Sequence, residues 1–282
     1  MDELTSYLLL DGAQIDELLP FIYRLQDAPT VHMLYQRTAY AEWADSGPCL
    51  VRVEAEDALM QHFEAHWRTS AGLLLASAAE VDALAEHLRS LVHARVDGGQ
   101  TVLFRYHDPR ILPLWLETLS AQERDHYMGP VQRIYLPSAD GQDLVIQRSD
   151  LPVESRHYAD EPWLSLGADQ LDTLNGAKQM VFEDRLLEHL HSHFPEDLAR
   201  LDDTQRRQLV RRCRDSAARH GYSSAAEVAR WSSLLLVCGG DFPQAPEYAP
   251  YRELLAQPGR SPAERLDDLL LAAAQLDKES AT

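Results

Sequence analysis

The sequence predicts a two-part chain: an α/β N-terminal lobe, a mixed sheet with flanking helices, followed by an all-α C-terminal lobe. Three observations lead there. Through the first 150 residues, short apolar runs of strand length alternate with amphipathic runs of helical spacing, the pattern of an α/β lobe. Around residue 150 the chain turns polar and irregular, with prolines at Leu151-Pro152 and Glu161-Pro162. Beyond Trp163 only helical patterns recur. The expected domains are therefore an α/β lobe over 1–150, a linker or strap over 151–165 and a helical lobe over 166–282.

Residues 6–11 (SYLLLD) form a compact apolar strand stopped by Gly12, and 13–25 carry Ile15, Leu18, Leu19, Ile22 and Leu25 near helical spacing. Further strands are expected at 31–35 and, after the Gly47-Pro48 breaker, at 49–53. A helix is expected at 58–67 and a strand at 72–76. Ser77-Ala78-Ala79-Glu80 has capping-box spacing, in which serine oxygen and glutamate each pair with a free backbone N–H. The helix it would open carries Val81, Leu84, Leu88, Leu91 and Val92 in one stripe. A strand over 101–105, a helix over 109–119 and strands over 130–136 and 143–148, the last after an Asp140-Gly141 turn, complete the lobe.

In the second half, 181–194 reads as a helix stopped at Pro195, and 203–220 as one ended by Gly221, a natural left-handed residue. Ser224-Ala225-Ala226-Glu227 is another capping box, opening a helix with Val228, Trp231, Leu235 and Cys238 that ends at Gly239-Gly240. Ser261-Pro262-Ala263-Glu264 adds proline at the first helical position, ahead of Leu266, Leu269, Leu270, Ala273 and Leu276.

The chain carries 26 basic and 45 acidic residues, a net charge of −19. Up to residue 150 there are 11 basic and 23 acidic residues, and beyond it 15 and 22, so both parts are acidic. Nucleic-acid binding needs a concentrated basic surface that displaces counterions from phosphates. The one dense basic run, Arg206 to Arg214, is flanked by acids at Asp202, Asp203 and Asp215, so neither nucleic acid nor a membrane surface is an expected partner. No apolar run is long enough to span a bilayer, and Met1-Asp2-Glu3-Leu4 lacks a signal-peptide pattern, which points to a cytoplasmic protein. Three widely spaced cysteines, Cys49, Cys213 and Cys238, read as buried free thiols.

Twelve histidines invite a metal proposal. His62 and His66 are four apart, as are His189 and His193, a spacing that could hold zinc on one helical face. A catalytic zinc site needs a third protein ligand, and neither pair has one locally. The glutamate of His62-Phe63-Glu64-Ala65-His66 is also misplaced for the HExxH motif. No nucleophile elbow, phosphate loop or dinucleotide fingerprint occurs. The reading is therefore no catalytic residue, no metal ligand and no cofactor. A metal-dependent hydrolase built on the histidine-rich helices is the alternative.

The densest polar constellation is Phe104-Arg105-Tyr106-His107-Asp108-Pro109-Arg110, at a strand-to-helix junction. Asp108 precedes Pro109 as an N-cap precedes proline at N1, and Arg105 and Arg110 could pair with it or with carboxylates elsewhere. A catalytic reading would make His107 a base oriented by Asp108, but sequence neighbours seldom present both groups in that geometry. The segment reads as a capped, arginine-braced junction, with Arg105, His107, Asp108 and Arg110 as candidate partner-binding residues.

An ordered set of segments carries a family resemblance. These are Leu8-Leu9-Leu10-Asp11-Gly12-Ala13-Gln14, Gly47-Pro48-Cys49-Leu50-Val51, Gly72-Leu73-Leu74-Leu75-Ala76-Ser77, His87-Leu88-Arg89 with an Asp97-Gly98 turn, the 104–110 segment, and Gly129-Pro130. In this order they resemble the type VI secretion effector-adaptor family, a domain of unknown function encoded beside genes for the spike protein VgrG. The family usually has a second aromatic where His107 stands. In the helical half Phe194-Pro195, Gly221 and Gly239-Gly240-Asp241-Phe242 are similar landmarks. The resemblance implies a non-enzymatic cytoplasmic chaperone that binds a cognate toxic effector and delivers it to VgrG or its PAAR tip. A structural component of the secretion machine is a further alternative.

Overall fold

The computed structural model describes residues 4–137, 143–151, 154–239, 242–257 and 259–280, with side chains described as far as residue 273. The Asp140-Gly141 turn, Pro152, Gly240-Asp241 and the side chain of Leu276 lie outside the described residues. In chain order the elements are β1 (Thr5–Asp11), α1 (Leu18–Leu25), β2 (Val31–Met33), β3 (Pro48–Val53), α2 (Ala58–His62), β4 (Gly72–Ser77), α3 (Val81–Arg89), β5 (His93–Val96), β6 (Thr101–Leu103), α4 (Leu112–Leu116) and α5 (Ala121–Met128). They continue with β7 (Arg133–Pro137), β8 (Asp143–Gln147), β9 (Ser165–Leu166), α6 (Ala168–His193), α7 (Pro195–Ala199), α8 (Asp203–Arg219), α9 (Ala225–Cys238), α10 (Ala249–Leu255) and α11 (Pro262–Ser280).

The chain divides into two compact units, Met1–Lys178 and Gln179–Thr282, and the division falls inside α6. In the first unit a six-stranded sheet has the order β2-β3-β1-β4-β7-β8, with every pairing antiparallel. A three-stranded sheet, β6-β5-β9, pairs β5 with β9 in parallel. The lobe is thus α/β with one antiparallel and one mixed sheet, and the second unit is helical, as the sequence predicts.

Strand β1 explains why SYLLLD is an unbroken apolar run. It lies between β3 and β4, and successive side chains enter opposite cores. Tyr7 and Leu9 join the core built with α3, α4 and α5, through Leu84, Leu88, Trp115 and Tyr127. Leu8 and Leu10 face the other side, among Ile22 of α1, Leu59 of α2 and Phe63. A side chain that leaves water on each face contributes about 1.5–3 kcal/mol, so this strand anchors two layers at once.

Several expected boundaries move. Ser77 does not cap α3: it ends β4, its hydroxyl accepts from Ala79 N–H and donates to the Pro130 carbonyl, and α3 starts at Val81 with no side-chain cap. Leu91 and Val92 leave the helix for the approach to β5, which the helical stripe had hidden. The helix expected over 109–119 shortens to α4, and a second helix, α5, follows behind a capping box made by Ser120 and Glu123. In the second unit the helix expected from 181 begins at Ala168, and Pro195 opens α7 at its first helical position instead of only stopping α6. The capping box of Ser224 with Glu227 forms as expected, and Ser261 pairs reciprocally with Glu264. The second core gathers Leu190, Leu198, Val210, Trp231, Leu266 and Leu269.

Cys49 and Cys213 are buried free thiols and Cys238 is half-buried. Burial pushes the Cys49 thiol up to about 12, which keeps it protonated and unreactive. Among the described residues no helix is long and apolar enough to cross a membrane.

Candidate functional site

The four candidate residues sit on the stretch between β6 and α4. Phe104 N–H still bonds back to the Val92 carbonyl, after which the chain turns away from the small sheet. The turn is closed from Asp108, whose carbonyl accepts from the N–H groups of Ile111 and Leu112 at 3.1 and 3.0 Å. Asp108 does not cap a helix that begins at Pro109. Its Oδ1 accepts from Arg110 N–H at 3.0 Å, an aspartate turn, and the Arg110 guanidinium grips both oxygens at 2.8 Å. Pro109 cannot donate an N–H, so the first donor within reach belongs to Arg110, and α4 starts only at Leu112.

Arg105 and His107 turn the other way, toward Asp11 at the end of β1. Asp11 is wholly buried and accepts from the Arg105 guanidinium and from Ala13 N–H at 3.0 Å. His107 Nε2 lies 3.5 Å from Asp11 Oδ1, an electrostatic contact longer than an ordinary hydrogen bond. Neither ring nitrogen of His107 has a hydrogen-bond partner among the described residues. Burial pushes the Asp11 carboxyl up, but His107, Arg105 and the Ala13 N–H together outweigh it and hold the group below its usual range.

The geometry separates the four residues. His107 and Asp108 are 1% and 3% exposed at their side chains, while Arg105 and Arg110 keep 31% and 22%. A partner can reach only the two arginines. A general base at His107 oriented by its neighbour would need Asp108 free, and Asp108 instead spends both oxygens on Arg110.

Asp11 was not among the candidates, although a lone acid closing an apolar strand before glycine was visible in the sequence. Around it the resemblance segments converge. Asp11 pairs with Pro48 across β3, Gly12 N–H donates to the Gly47 carbonyl at 3.1 Å, and Leu10 pairs with Gly72. A Cβ on Gly12 would lie 2.4 Å from the Asp45 carbonyl oxygen, which explains the glycine there. At a second focus His87, fully buried, donates from Nε2 to the Tyr127 carbonyl at 2.8 Å and accepts Arg156 N–H on Nδ1 at 3.1 Å. Its ring occupies the place of a Cβ on Gly129, whose φ of 52° also favours glycine. Arg156 belongs to the segment expected as linker or strap, which within the first unit also lays Tyr158 against His93, bonds Trp163 Nε1 to Ser90 Oγ at 2.9 Å and adds β9.

The histidine pairs form as ring contacts. His62 and His66 have centroids 4.5 Å apart, His189 and His193 4.4 Å. Among the described residues no three histidine, cysteine, aspartate or glutamate side chains gather as metal ligands would.

Residues 6–126 match the family model described as Domain of unknown function (DUF4123). The match runs from β1 into α5 and includes both arginine–aspartate pairs of the candidate site. Over 278 residues the chain is 28% identical to Accessory protein VasW of Vibrio cholerae serotype O1, covering 96% of this chain and 86% of that protein. No solved structure matches the chain significantly. That stretch of the first unit is thus similar to this domain, and both likenesses are consistent with the resemblance to the type VI secretion effector-adaptor family.

Proposed function

We propose that the chain is a non-catalytic cytoplasmic adaptor of type VI secretion, which binds a cognate effector and loads it onto the VgrG or PAAR spike. The observation that carries this reading is the match of residues 6–126 to the family domain, joined to a likeness with an accessory protein that extends through both units. The construction of the site favours binding over chemistry. Its one histidine is sealed from solvent, and its acids are committed to arginines, hydrogen bonds or both. Such a site braces a surface; it does not present a base to a substrate.

Within this reading Arg105 and Arg110 are the partner contacts. Asp11 and Asp108 orient them, and His107 supports Asp11 from beneath. Arginines held by buried carboxylates are well suited to an interface, because little side-chain freedom remains to be lost on binding. The test is co-expression of the full chain with the effector encoded beside its gene, followed by affinity capture. A stable complex with effector or spike supports the adaptor, and no complex with either overturns it. Deletion of the gene should abolish delivery of one effector. Loss of all secretion would instead favour a structural component.

A further inference from the structure

In the second unit six arginines lie along α8, and they divide by partner. Arg206 pairs with Asp203, Arg207 with Asp184, Arg211 with Glu183, and Arg214 with both Glu183 and Asp215. Arg212 and Arg219 are exposed and have no ion pair among the described residues. Those two line a groove of about 700 Å³. They are seven residues apart, two helical turns, so they stand about 10 Å apart along one edge.

The groove between α8 and α9 has an apolar floor. Leu209, Leu235 and Leu236 are half-buried in it, and Cys213 and Phe242 close the bottom. Phe242 meets Trp231 in a tilted ring contact at 5.5 Å, which ties the base of the groove to the core of the second unit. Of the carboxylates on its rim Asp215 is already paired with Arg214, leaving Asp197 against two cations. In a chain of net charge −19, an apolar trough edged by uncompensated arginines is a local inversion of the surface. Its complement is a segment with an apolar stripe and acidic flank, and an amphipathic helix supplies both at i, i+3, i+4 and i+7.

We propose that this groove receives an amphipathic helix of the effector, whose apolar stripe covers Leu209, Leu235 and Leu236 and whose carboxylates pair with Arg212 and Arg219. This rests on the adaptor reading and adds to it where the cargo is held and what chemistry it must carry.

The test is calorimetric titration of the full chain with the effector encoded beside its gene. Arg212→Glu with Arg219→Glu should weaken the Kd tenfold or more while circular dichroism and Tm stay unchanged. Arg207→Glu, on another face of the same helix, should leave the Kd as it is. A double variant that weakens binding less than tenfold overturns the groove, as does equal weakening by Arg207→Glu. Should the double variant lower Tm, Arg212→Gln with Arg219→Gln takes its place under the same thresholds. A dimer of the chain lost in the double variant, with effector binding intact, would assign the groove to a second copy and also overturn the proposal. If the native chain binds no effector, the adaptor reading itself fails; if it binds and the double variant binds equally, only the groove does.

Discussion

His87 accepts the backbone N–H of Arg156 on Nδ1 at 3.1 Å while its Nε2 donates to the Tyr127 carbonyl at 2.8 Å. Only the neutral ring can do both, because the imidazolium has no lone pair for the Arg156 N–H. Burial is the main cause that lowers its pKa from 6.5 to about 4, with the neighbouring His126, Arg156 and His157 charges adding to it and the Tyr127 carbonyl opposing. Below the ordinary histidine value the unfolded chain takes up a proton that the folded chain refuses. Stability from this group is therefore complete above about pH 6.5 and is lost as pH falls toward about 4. The full loss is about 3 kcal/mol. Urea unfolding at pH 7.5 and pH 5 should show part of it, and His87→Gln should flatten that difference relative to the native chain.

Asp11 and Arg105 tie the end of β1 to a residue 94 positions later. Arg105→Ala leaves a buried carboxylate with only the Ala13 N–H and the His107 contact, so it should cost about 3 kcal/mol, the lower end for breaking a buried pair. Asp11→Ala should cost less, because Arg105 is partly exposed and can rehydrate. In the double variant the losses should fall short of additivity by about 1 kcal/mol or more in a double-mutant cycle. Additive losses would mean that the pair is not coupled.

How much of this was legible depended on range. The apolar run of β1, the strand after Gly47-Pro48 and the caps of α9 and α11 are set by residues within a few positions, and all appear where the sequence places them. Asp108 was legible as the junction's organiser and Arg110 as a possible partner, but the aspartate turn and the delayed start of α4 depend on which donor Pro109 leaves available. The role of Asp11 was not legible, because nothing local tells a strand-ending acid that an arginine 94 residues away will meet it. The same holds for β9, two residues long and paired in parallel with β5.

Two similar tetrapeptides offer a direct comparison. In Ser224-Ala225-Ala226-Glu227 the serine accepts Glu227 N–H at 3.3 Å and Glu227 accepts Ser224 N–H at 3.0 Å. In Ser77-Ala78-Ala79-Glu80 strand pairing holds Ser77 against Thr5, and its hydroxyl serves Pro130 and Ala79. Ser224→Ala should therefore cost about 1 kcal/mol, a lost cap. Glu227→Ala should also lower Tm, whereas Glu80→Ala should leave it unchanged. Thermal melts of the three variants check the contrast; a drop with Glu80→Ala would restore the capping box there.

Glu183 supplies the last contrast, between arginines that hold the second unit together and those that do not. It is 5% exposed and accepts from Arg214 at 2.6 Å, Arg211 at 3.4 Å and Gln179 at 3.0 Å. Arg214 is the shorter contact and the less exposed cation, 28% against 59% for Arg211. Arg214→Ala strands the buried carboxylate with a distant cation and one amide, and should cost about 2 kcal/mol. Arg211→Ala should cost under about 1 kcal/mol, in the range of exposed pairs. Arg212→Ala and Arg219→Ala remove no pairing seen among the described residues, so each should stay within about 0.5 kcal/mol of the native chain. Chemical denaturation of the four single variants separates these groups. A loss with Arg212→Ala as large as with Arg214→Ala would place Arg212 in the scaffold and remove the reason for calling its charge free to meet a partner.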